Sequence, residues 1–309
     1  MSRQSTLAQT FKQQIQERKK ATAVLAVDLL ISLILESDAT TIMDLKQQIS
    51  DAISEMKSVS RAISLTAGTS LFMKFVTRTF LDYTDFDACR EALINRGRMF
   101  VEHASNSRKL ITRFAPALFQ DGCTILVHGY SQVACLVLER IAEEKEIKVI
   151  VSEGLPMFNG YETADRLSKS NISVTIVSDS AVASILHSVT MVLFGAEGIT
   201  ENGGLINQIG SYGIAVVASH LSKPCYVAAE SYKFTRLYPL TQNEVDQFTE
   251  RPVHPLRLPN MDSVGEGVVN TREKRVVDYT PPEFIDLVLT DIGILTPGAV
   301  CDELIKLYV

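Results

Sequence analysis

The chain has 309 residues, of which 46% are hydrophobic and 21% are charged, a composition typical of a folded protein with room for two domains. Its net charge of −6 argues against direct, non-specific binding to nucleic acid, because such binding depends on neutralising phosphates. Five cysteines without a CxxC pair favour neither a disulfide framework nor a zinc site, and no apolar run reaches the length of a membrane span or a signal core. We therefore expect a cytoplasmic protein with no membrane partner, no metal and no cofactor.

The charge is unevenly distributed along the chain. Residues 1–120 hold 16 Lys and Arg against 12 Asp and Glu, whereas residues 121–309 hold 14 against 24. The basic first part suits an acidic partner, although a solvated helical surface has the same composition.

The first 120 residues predict a helical domain. Apolar residues at helical spacing form one stripe over Val24, Val27, Ile31 and Ile34 and a second over residues 42–56. A third segment, residues 71–81, is too apolar to stay exposed, and proline is absent before Pro116.

The pattern changes at residue 121. Short apolar runs alternate with segments of helical length and composition such as residues 131–144 and 160–169. The runs cover residues 124–127, 148–152, 173–177, 191–194 and 225–229. This alternation predicts right-handed crossovers and a parallel, doubly wound sheet. The fold class is therefore α/β, with a helical domain over residues 1–120 followed by a Rossmann-like domain over residues 121–309.

The last quarter of the chain is less regular. Residues 239–282 carry most of the prolines and predict a long irregular insertion. Thr280, followed by two prolines and Glu283, has the pattern of a helix start, and Thr296-Pro297 repeats part of it before a closing helix over residues 299–307.

The stretch 191–210 links a buried strand to a glycine-rich segment. Glycines at 195, 198, 203 and 204 let a ligand approach the backbone, and the segment falls beyond the carboxyl end of a strand, where α/β sheets bind ligands. A tight strand-to-helix connection without a ligand explains the same pattern equally well. Neither a phosphate loop nor a GxGxxG fingerprint is present in it.

Polar side chains follow the predicted strands and should converge at one sheet edge. They are His128, Tyr130, Ser131, Glu153, Asp179, Ser180, Glu197, Glu230 and Lys233. A hydrolase built from Ser131, His128 and Asp179 would lack the Gly-x-Ser-x-Gly turn, and a metal site would have one nearby histidine. Arg108 and Lys109 are candidates for binding an anion or form an exposed basic pair.

Several segments together resemble one family, the regulatory subunits of eukaryotic translation initiation factor 2B. They are residues 125–131 (ILVHGYS), 151–153 (VSE), 177–181 (VSDSA), 195–198 (GAEG), 201–204 (ENGG), 206–207 (IN), 229–234 (AESYKF), 277–280 (VDYT) and 295–297 (LTP). The closing segment 299–308 is most similar to alpha-type members. The resemblance covers essentially the whole chain and implies the same two-part fold.

The same family includes isomerases of methylthioribose 1-phosphate and ribose 1,5-bisphosphate. Where those enzymes carry a catalytic cysteine and aspartate, this chain has Gly129 and Glu197, and where they carry a lysine and an arginine it has Gln208 and Leu155. Glycine supplies no thiolate, and the longer glutamate misplaces its carboxylate. The resemblance therefore implies a chain without catalytic residues.

What the resemblance implies is a regulatory subunit of the guanine-nucleotide exchange factor for translation initiation factor 2. Its expected partners are the other subunits of that complex, factor 2 with its phosphorylated alpha subunit, and a second copy of the chain. The alternative is a sugar-phosphate isomerase, or a regulator that binds a sugar or nucleoside phosphate in the ancestral pocket. The candidate pocket residues are Arg108, His128, Tyr130, Ser131, Glu197, Asn207 and Lys233. The candidate basic helical face for the phosphorylated partner consists of Lys57, Arg61, Lys74 and Arg78.

Overall fold

The computed structural model describes residues 3–17, 20–248 and 276–308. The first part is helical, as predicted. Its helices are α1 (Arg3–Gln16), α2 (Thr22–Glu36), α3 (Ile42–Val59), α4 (Ile63–Asp82) and α5 (Phe86–Phe114). Val24, Val27, Ile31 and Ile34 are buried on one face of α2, which confirms the predicted stripe. Thr41 caps α3 by accepting a hydrogen bond from the Asp44 amide at 3.2 Å.

Strands and helices alternate after residue 123. The strands are β1 (Thr124–His128), β2 (Lys148–Ser152), β3 (Ser173–Val177), β4 (Met191–Phe194), β5 (Gly198–Ile199), β6 (Leu205–Gln208), β7 (Cys225–Ala228), β8 (Val277–Thr280), β9 (Leu287–Thr290) and β10 (Gly293–Leu295). The helices are α6 (Gln132–Ala142), α7 (Gly160–Lys169), α8 (Val182–Ile185), α9 (Ser211–His220) and α10 (Pro297–Tyr308).

Within the described ranges, the main sheet has seven strands in the order β10-β9-β7-β4-β1-β2-β3. All neighbouring pairs are parallel except β9 with β10. Ile125 and Val127 pack in a core with α6 and α7, whereas Leu126 packs on the opposite face in a core with α8, α9 and α10. The sheet is therefore covered on both sides, which confirms the predicted α/β fold.

A small antiparallel sheet, β5-β6-β8, was not predicted. Two of its strands lie within the glycine-rich stretch 191–210, which is thus neither a plain ligand loop nor a tight strand-to-helix connection. Leu205 pairs with Thr280, and Gln208 pairs with Val277. Ile206, Val277 and Tyr279 share a separate core with Ile63 of α4, so the small sheet packs between the main sheet and the helices.

The prediction of a helix starting at Thr280 is wrong. Thr280 is the last residue of β8, and Pro282–Phe284 forms only a short 3₁₀ turn before β9. The backbone of Thr280 is committed to pairing with β6, so it cannot begin a helix. Of the predicted insertion 239–282, Gln242–Phe248 is a 3₁₀ helix and Val277–Thr280 is a strand, while residues 249–275 lie outside the described part. The predicted closing helix is confirmed as α10.

Helix α5 connects the two parts of the fold. Leu93 and Phe100 belong to the helical core, whereas Ile111, near its end, belongs to the core under the main sheet. This course brings Arg108 to the carboxyl edge of the sheet. In the part of the chain that the structure describes, no helix is long and apolar enough to cross a membrane.

Candidate functional site

A cavity of about 730 Å³ lies between the carboxyl edge of the main sheet, the small sheet and the helical part. All seven side chains predicted from the sequence line it: Arg108, His128, Tyr130, Ser131, Glu197, Asn207 and Lys233. They come from α5, from the ends of β1 and β4, from β6 and from the turn after β7. The structure thus brings these side chains together in one cavity.

His128, at the end of β1, is 2% exposed, and both of its ring nitrogens bond within the protein. Nε2 lies 2.7 Å from the carbonyl oxygen of Ile209, which can only accept, so Nε2 carries the proton. Nδ1 then accepts the hydroxyl proton of Ser152 at 2.6 Å. Burial lowers the pKa of His128, which favours this neutral form. His128 therefore links the end of β2 to the segment after β6 at the bottom of the cavity, and it offers no free nitrogen to a ligand.

The hydrolase alternative fails on the same geometry. His128 bonds to Ser152 rather than to Ser131. The hydroxyl of Ser131 caps α6 by accepting a hydrogen bond from the Ala134 amide at 3.3 Å. A serine nucleophile needs its own base within hydrogen-bond reach, and these two side chains are directed to other partners.

Gln208, which lines the cavity, lies beside a slot formed by Gly129 and Gly154. Both glycines have φ near +70°, a conformation that disfavours other residues. The carboxamide of Gln208, from β6, occupies the slot and donates from Nε2 to the carbonyl oxygen of Gly154 at 2.8 Å. A Cβ atom on Gly129 would lie 2.2 Å from Gln208 Oε1, and one on Gly154 would lie 2.8 Å from Gln208 Nε2. The side chain of Gln208 thus takes the space that a side chain at position 129 would need.

A buried ion network crosses from the helical part to the sheet. Glu230 is 1% exposed, and its carboxylate lies 2.9 Å from Arg108 Nε and 2.8 Å from Lys233 Nζ. The hydroxyl of Tyr232 donates to the same carboxylate at 3.0 Å. Although burial opposes ionisation, the charges of Lys233 and Arg108 hold the pKa of Glu230 at about 2. Glu230 is therefore an anion shared by two cations.

From the sequence, Glu230 is one of several polar residues at strand ends. Its pairing with Arg108 gives no sequence signal, because the two residues are 122 positions apart. Lys233 also donates to the carbonyl oxygen of Ala196 at 2.8 Å, which ties it to the end of β4. Two of the predicted anion-binding side chains are thus already held by protein oxygens.

The other predicted pocket residues have defined local roles. Asn207 is 8% exposed and donates to the Ser211 hydroxyl at 2.9 Å at the start of α9. The amide of Glu197 donates to the carbonyl oxygen of Ile206 at 2.9 Å, and its side chain is half-buried at the cavity wall. The Tyr130 hydroxyl accepts a long hydrogen bond of 3.5 Å from Arg166.

The lining of the cavity is more basic than the chain as a whole. Among the described residues that line it, five are Lys or Arg and three are Glu. The cations are Lys12, Lys20, Arg61, Arg108 and Lys233, and the anions are Glu162, Glu197 and Glu230. Because His128 is neutral, the lining carries a net charge of +2, whereas the whole chain carries −6. This balance favours an anionic occupant.

The four residues of the predicted basic helical face do not form one surface. Lys57 lies in the last turn of α3 and is half-buried, which lowers its pKa, and Arg61 lines the cavity. Lys74 and Arg78 lie one turn apart on α4, and at about 1.5 Å per residue Arg78 is roughly 20 Å from the start of that helix. Burial and the charges of Arg236 and Arg78 lower the pKa of Lys74. Arg61 thus lies at the cavity, apart from Lys74 and Arg78. We call Lys74, Arg78 and the nearby Arg236, which was not predicted, the α4 cluster.

A helical first part, a doubly wound sheet and a basic cavity between them define a Rossmann-like α/β protein with a ligand-sized site. The chain matches the model of the "Initiation factor 2 subunit family" over residues 16–297. It belongs to this family, as the sequence segments indicated.

Individual relatives agree with this assignment. The chain is 42% identical over 298 residues to "Translation initiation factor eIF2B subunit alpha" of Dictyostelium discoideum, covering 94% of this chain and 93% of that protein. It is 30% identical over 265 residues to "Ribose 1,5-bisphosphate isomerase" of Archaeoglobus fulgidus, covering 84% and 82%. In fold it is similar to a chain of the tetrameric eIF2B-beta2-delta2 complex from C. thermophilum, with a TM-score of 0.78, 18% identity and coverage of 99% and 94%.

Proposed function

We propose that this chain is a non-catalytic, regulatory subunit of the guanine-nucleotide exchange factor for translation initiation factor 2. The observation that carries the proposal is the 42% identity, over nearly the full length of both chains, to a relative named as the alpha subunit of eIF2B. The chain works in the cytoplasm within a complex, with the other subunits of that factor as its partners. The similarity in fold to a chain of an eIF2B-beta2-delta2 complex supports such an assembly.

The cavity floor supports the non-catalytic part of the proposal. Position 129 is glycine, and Gln208 occupies the space beside it, so a thiol there would have to displace a buried carboxamide. His128 is bonded on both sides and is therefore not free to act as a general base. The purified chain should therefore leave ribose 1,5-bisphosphate and methylthioribose 1-phosphate unchanged. Turnover that disappears in a Glu197→Ala variant would overturn this assignment.

The regulatory part of the proposal is that the chain senses phosphorylated factor 2. A chain without catalytic groups can influence exchange only by binding, and it must then favour one state of the complex over another. A phosphoserine adds up to about two negative charges, which favours a basic surface. Lys74 and Arg78 are the part of the predicted face that suits this contact, and Arg236, which was not predicted, lies close to Lys74. Nucleotide release measured with and without phosphorylated factor 2 tests the proposal.

The cavity is a candidate site for a sugar or nucleoside phosphate that regulates the subunit. Its basic lining and its size, within the range of about 300–1,000 Å³ typical of ligand pockets, support this second role. Glu197 faces the same space, so the expected affinity is low.

We propose that the chain self-associates through its carboxy-terminal part. Of the apolar residues near the end, Leu304 is buried in the core of its own chain, whereas Ile305 is 47% exposed. The side chains after residue 306 lie outside the described part. Light scattering at micromolar concentration should give the mass of a dimer, and the mass of a single chain would refute the proposal.

A further inference from the structure

One peptide group lies between the bottom of the ligand cavity and the small sheet. It joins Ile209 to Gly210, in the short segment between β6 and α9. Its carbonyl oxygen accepts the Nε2 proton of His128 at 2.7 Å, and its amide donates to Asp278 Oδ2, also at 2.7 Å. The ring of His128 lies against the same segment, because a Cβ atom on Gly210 would be 2.9 Å from Nε2. The two side chains therefore hold one peptide group from opposite ends.

The hydrogen bonds along this path all run in the same direction. The Ser152 hydroxyl donates to His128 Nδ1 at 2.6 Å, His128 donates to the peptide carbonyl, and the peptide amide donates to Asp278. Consecutive bonds of one direction polarise and strengthen one another, and an ionised carboxylate at the accepting end strengthens the last of them. A protonated carboxyl group accepts more weakly, so the charge on Asp278 affects the bond that His128 makes to the other end of the peptide group.

Asp278 also anchors the start of α9. Its Oδ2 atom accepts a second hydrogen bond from the Tyr212 amide at 3.1 Å, in the first turn of the helix, where a negative charge is favourable. Its Oδ1 atom is buried and, within the described residues, has no hydrogen-bond partner. Burial opposes ionisation and raises the pKa of Asp278 to about 7, although the amides of Tyr212 and Gly210 act in the opposite direction. The carboxyl group therefore changes its charge near neutral pH.

The elements packed against β8 are β6, α9 and the 3₁₀ helix Gln242–Phe248. Their described titratable side chains are Tyr212 and His220 of α9 and Glu244 of the 3₁₀ helix, and beyond the peptide group lies His128, with Asp179 at 3.9 Å. The 3₁₀ helix packs through Val245 on the face of the small sheet opposite to Asp278. His220 ends α9, roughly 12 Å along the helix from Tyr212. Burial lowers the pKa of His128, so its ring stays neutral near pH 7. A change of charge at this junction near neutral pH therefore belongs to Asp278.

We propose that Asp278 is a proton-sensitive positioning residue for His128. When ionised, it holds the Ile209–Gly210 peptide group and the start of α9, and through the peptide group it orients the ring of His128 at the bottom of the cavity. When protonated, it holds both more weakly. Asn207, which lines the cavity, pairs with Asp278 across β6 and β8, so the same junction supports the cavity wall. Mild acidification should therefore loosen the junction between the small sheet, α9 and the cavity.

The test is nitrogen-15 NMR of the histidine rings in the full chain, recorded as a pH series through neutrality. In the wild type, the His128 signals should keep the pattern of the neutral Nε2–H tautomer and should shift in one step with a midpoint near pH 7. In Asp278→Asn, which keeps the size of the side chain but cannot ionise, the step should vanish. Asp286→Asn is the matched control, because Asp286 also accepts a backbone amide, that of Cys225 at 2.7 Å, but has no bond to this path. The step should persist in this control.

The wild-type series decides the proposal even if Asp278→Asn does not fold. A carbon-13 titration of the Asp278 carboxyl group gives its own midpoint, and the step in the His128 signals should have the same one. A flat His128 signal through that midpoint would overturn the proposal. So would a step that persists in Asp278→Asn, since it would then arise from His128 itself or from Asp179. The measurement needs neither a partner nor a ligand, so its outcome is independent of the function in nucleotide exchange.

Discussion

Gln208 and Gly129 are complementary: the carboxamide of one fills the space that a side chain on the other would occupy. An atom added as Cβ to Gly129 would lie 2.2 Å from Gln208 Oε1 and 3.0 Å from its Cδ. The resemblance to the isomerases implies a cysteine and a lysine at these two positions in those enzymes. In this chain the two residues depend on each other, because the carboxamide of Gln208 takes the space that a side chain at position 129 would need.

Gly129→Ala should lower the free energy of unfolding by more than the backbone conformation alone explains. Position 129 has φ +72°, so alanine there costs about 1–2 kcal/mol, and displacing the buried Gln208 amide costs about 1–2 kcal/mol more. Gly122→Ala is the matched control, because Gly122 has φ +73° and nothing within 4 Å of its Cβ position. Denaturant unfolding of both variants measures the difference.

A double-mutant cycle with Gln208 identifies why Gly129→Ala lowers the free energy of unfolding more than Gly122→Ala. In a Gln208→Ala background, Gly129→Ala should cost no more than Gly122→Ala, because the overlap is gone and only the backbone term remains. An unchanged cost in that background would show that the complementarity does not stabilise the fold.

Glu230→Gln should destabilise the chain by about 3 kcal/mol, because it leaves Arg108 and Lys233 without a buried counter-charge. The control is Asp165→Asn, which breaks an exposed pair with Lys169 and should cost less than about 0.5 kcal/mol. Chemical unfolding at neutral pH measures both. Equal effects of the two substitutions would argue against the buried network.

The contribution of Glu230 should vanish in acid. Its pKa is held at about 2, below the ordinary value of 4.5, so the unfolded chain takes up its proton first as the pH falls. The stabilisation is then fully present above about pH 4.5 and is lost as the pH falls towards 2. The difference in unfolding free energy between the wild type and Glu230→Gln should accordingly shrink across this window. A constant difference from pH 5 to pH 2.5 would contradict the assignment.

Ribose 5-phosphate at millimolar concentration should raise the melting temperature of the chain, whereas ribose should not. A ligand at ten times its Kd stabilises the folded state by about 1.4 kcal/mol. Arg61→Glu should abolish the shift, because it reverses a charge of the cavity lining, while Arg98→Glu lies outside the cavity and should leave the shift unchanged. Inorganic phosphate, tested separately, distinguishes a sugar phosphate from a bare anion. The absence of any shift would argue against a phosphate ligand of this type.

The sequence predicted those elements whose signals are local. Helix α7 has the predicted bounds, and the five predicted strands of the main sheet are present, because each is an apolar run followed by a helical segment. The small sheet was missed since β5 has only two residues and β6 pairs with β8, which follows it by some seventy positions. Short strands that pair across such a separation give no periodic signal.

The sequence predicted which side chains line the cavity, but not the hydrogen bonds and ion pairs that they form. All seven predicted pocket residues line the cavity, because the ends of parallel strands meet at one edge. Which of them are already bonded depends on contacts between distant segments, such as His128 with Ile209 or Arg108 with Glu230. The basic face was predicted from charge alone, so the separation of Arg61 from Lys74 and Arg78 became visible only in the fold.

The most direct test of the regulatory role is nucleotide release from factor 2, catalysed by the reconstituted exchange complex with and without this chain. We expect basal exchange to be largely retained without the chain, and inhibition by phosphorylated factor 2 to be lost. The Lys74→Glu/Arg78→Glu variant should reproduce that loss, whereas Arg98→Glu should not. Full inhibition by phosphorylated factor 2 in the absence of this chain would contradict the sensing role.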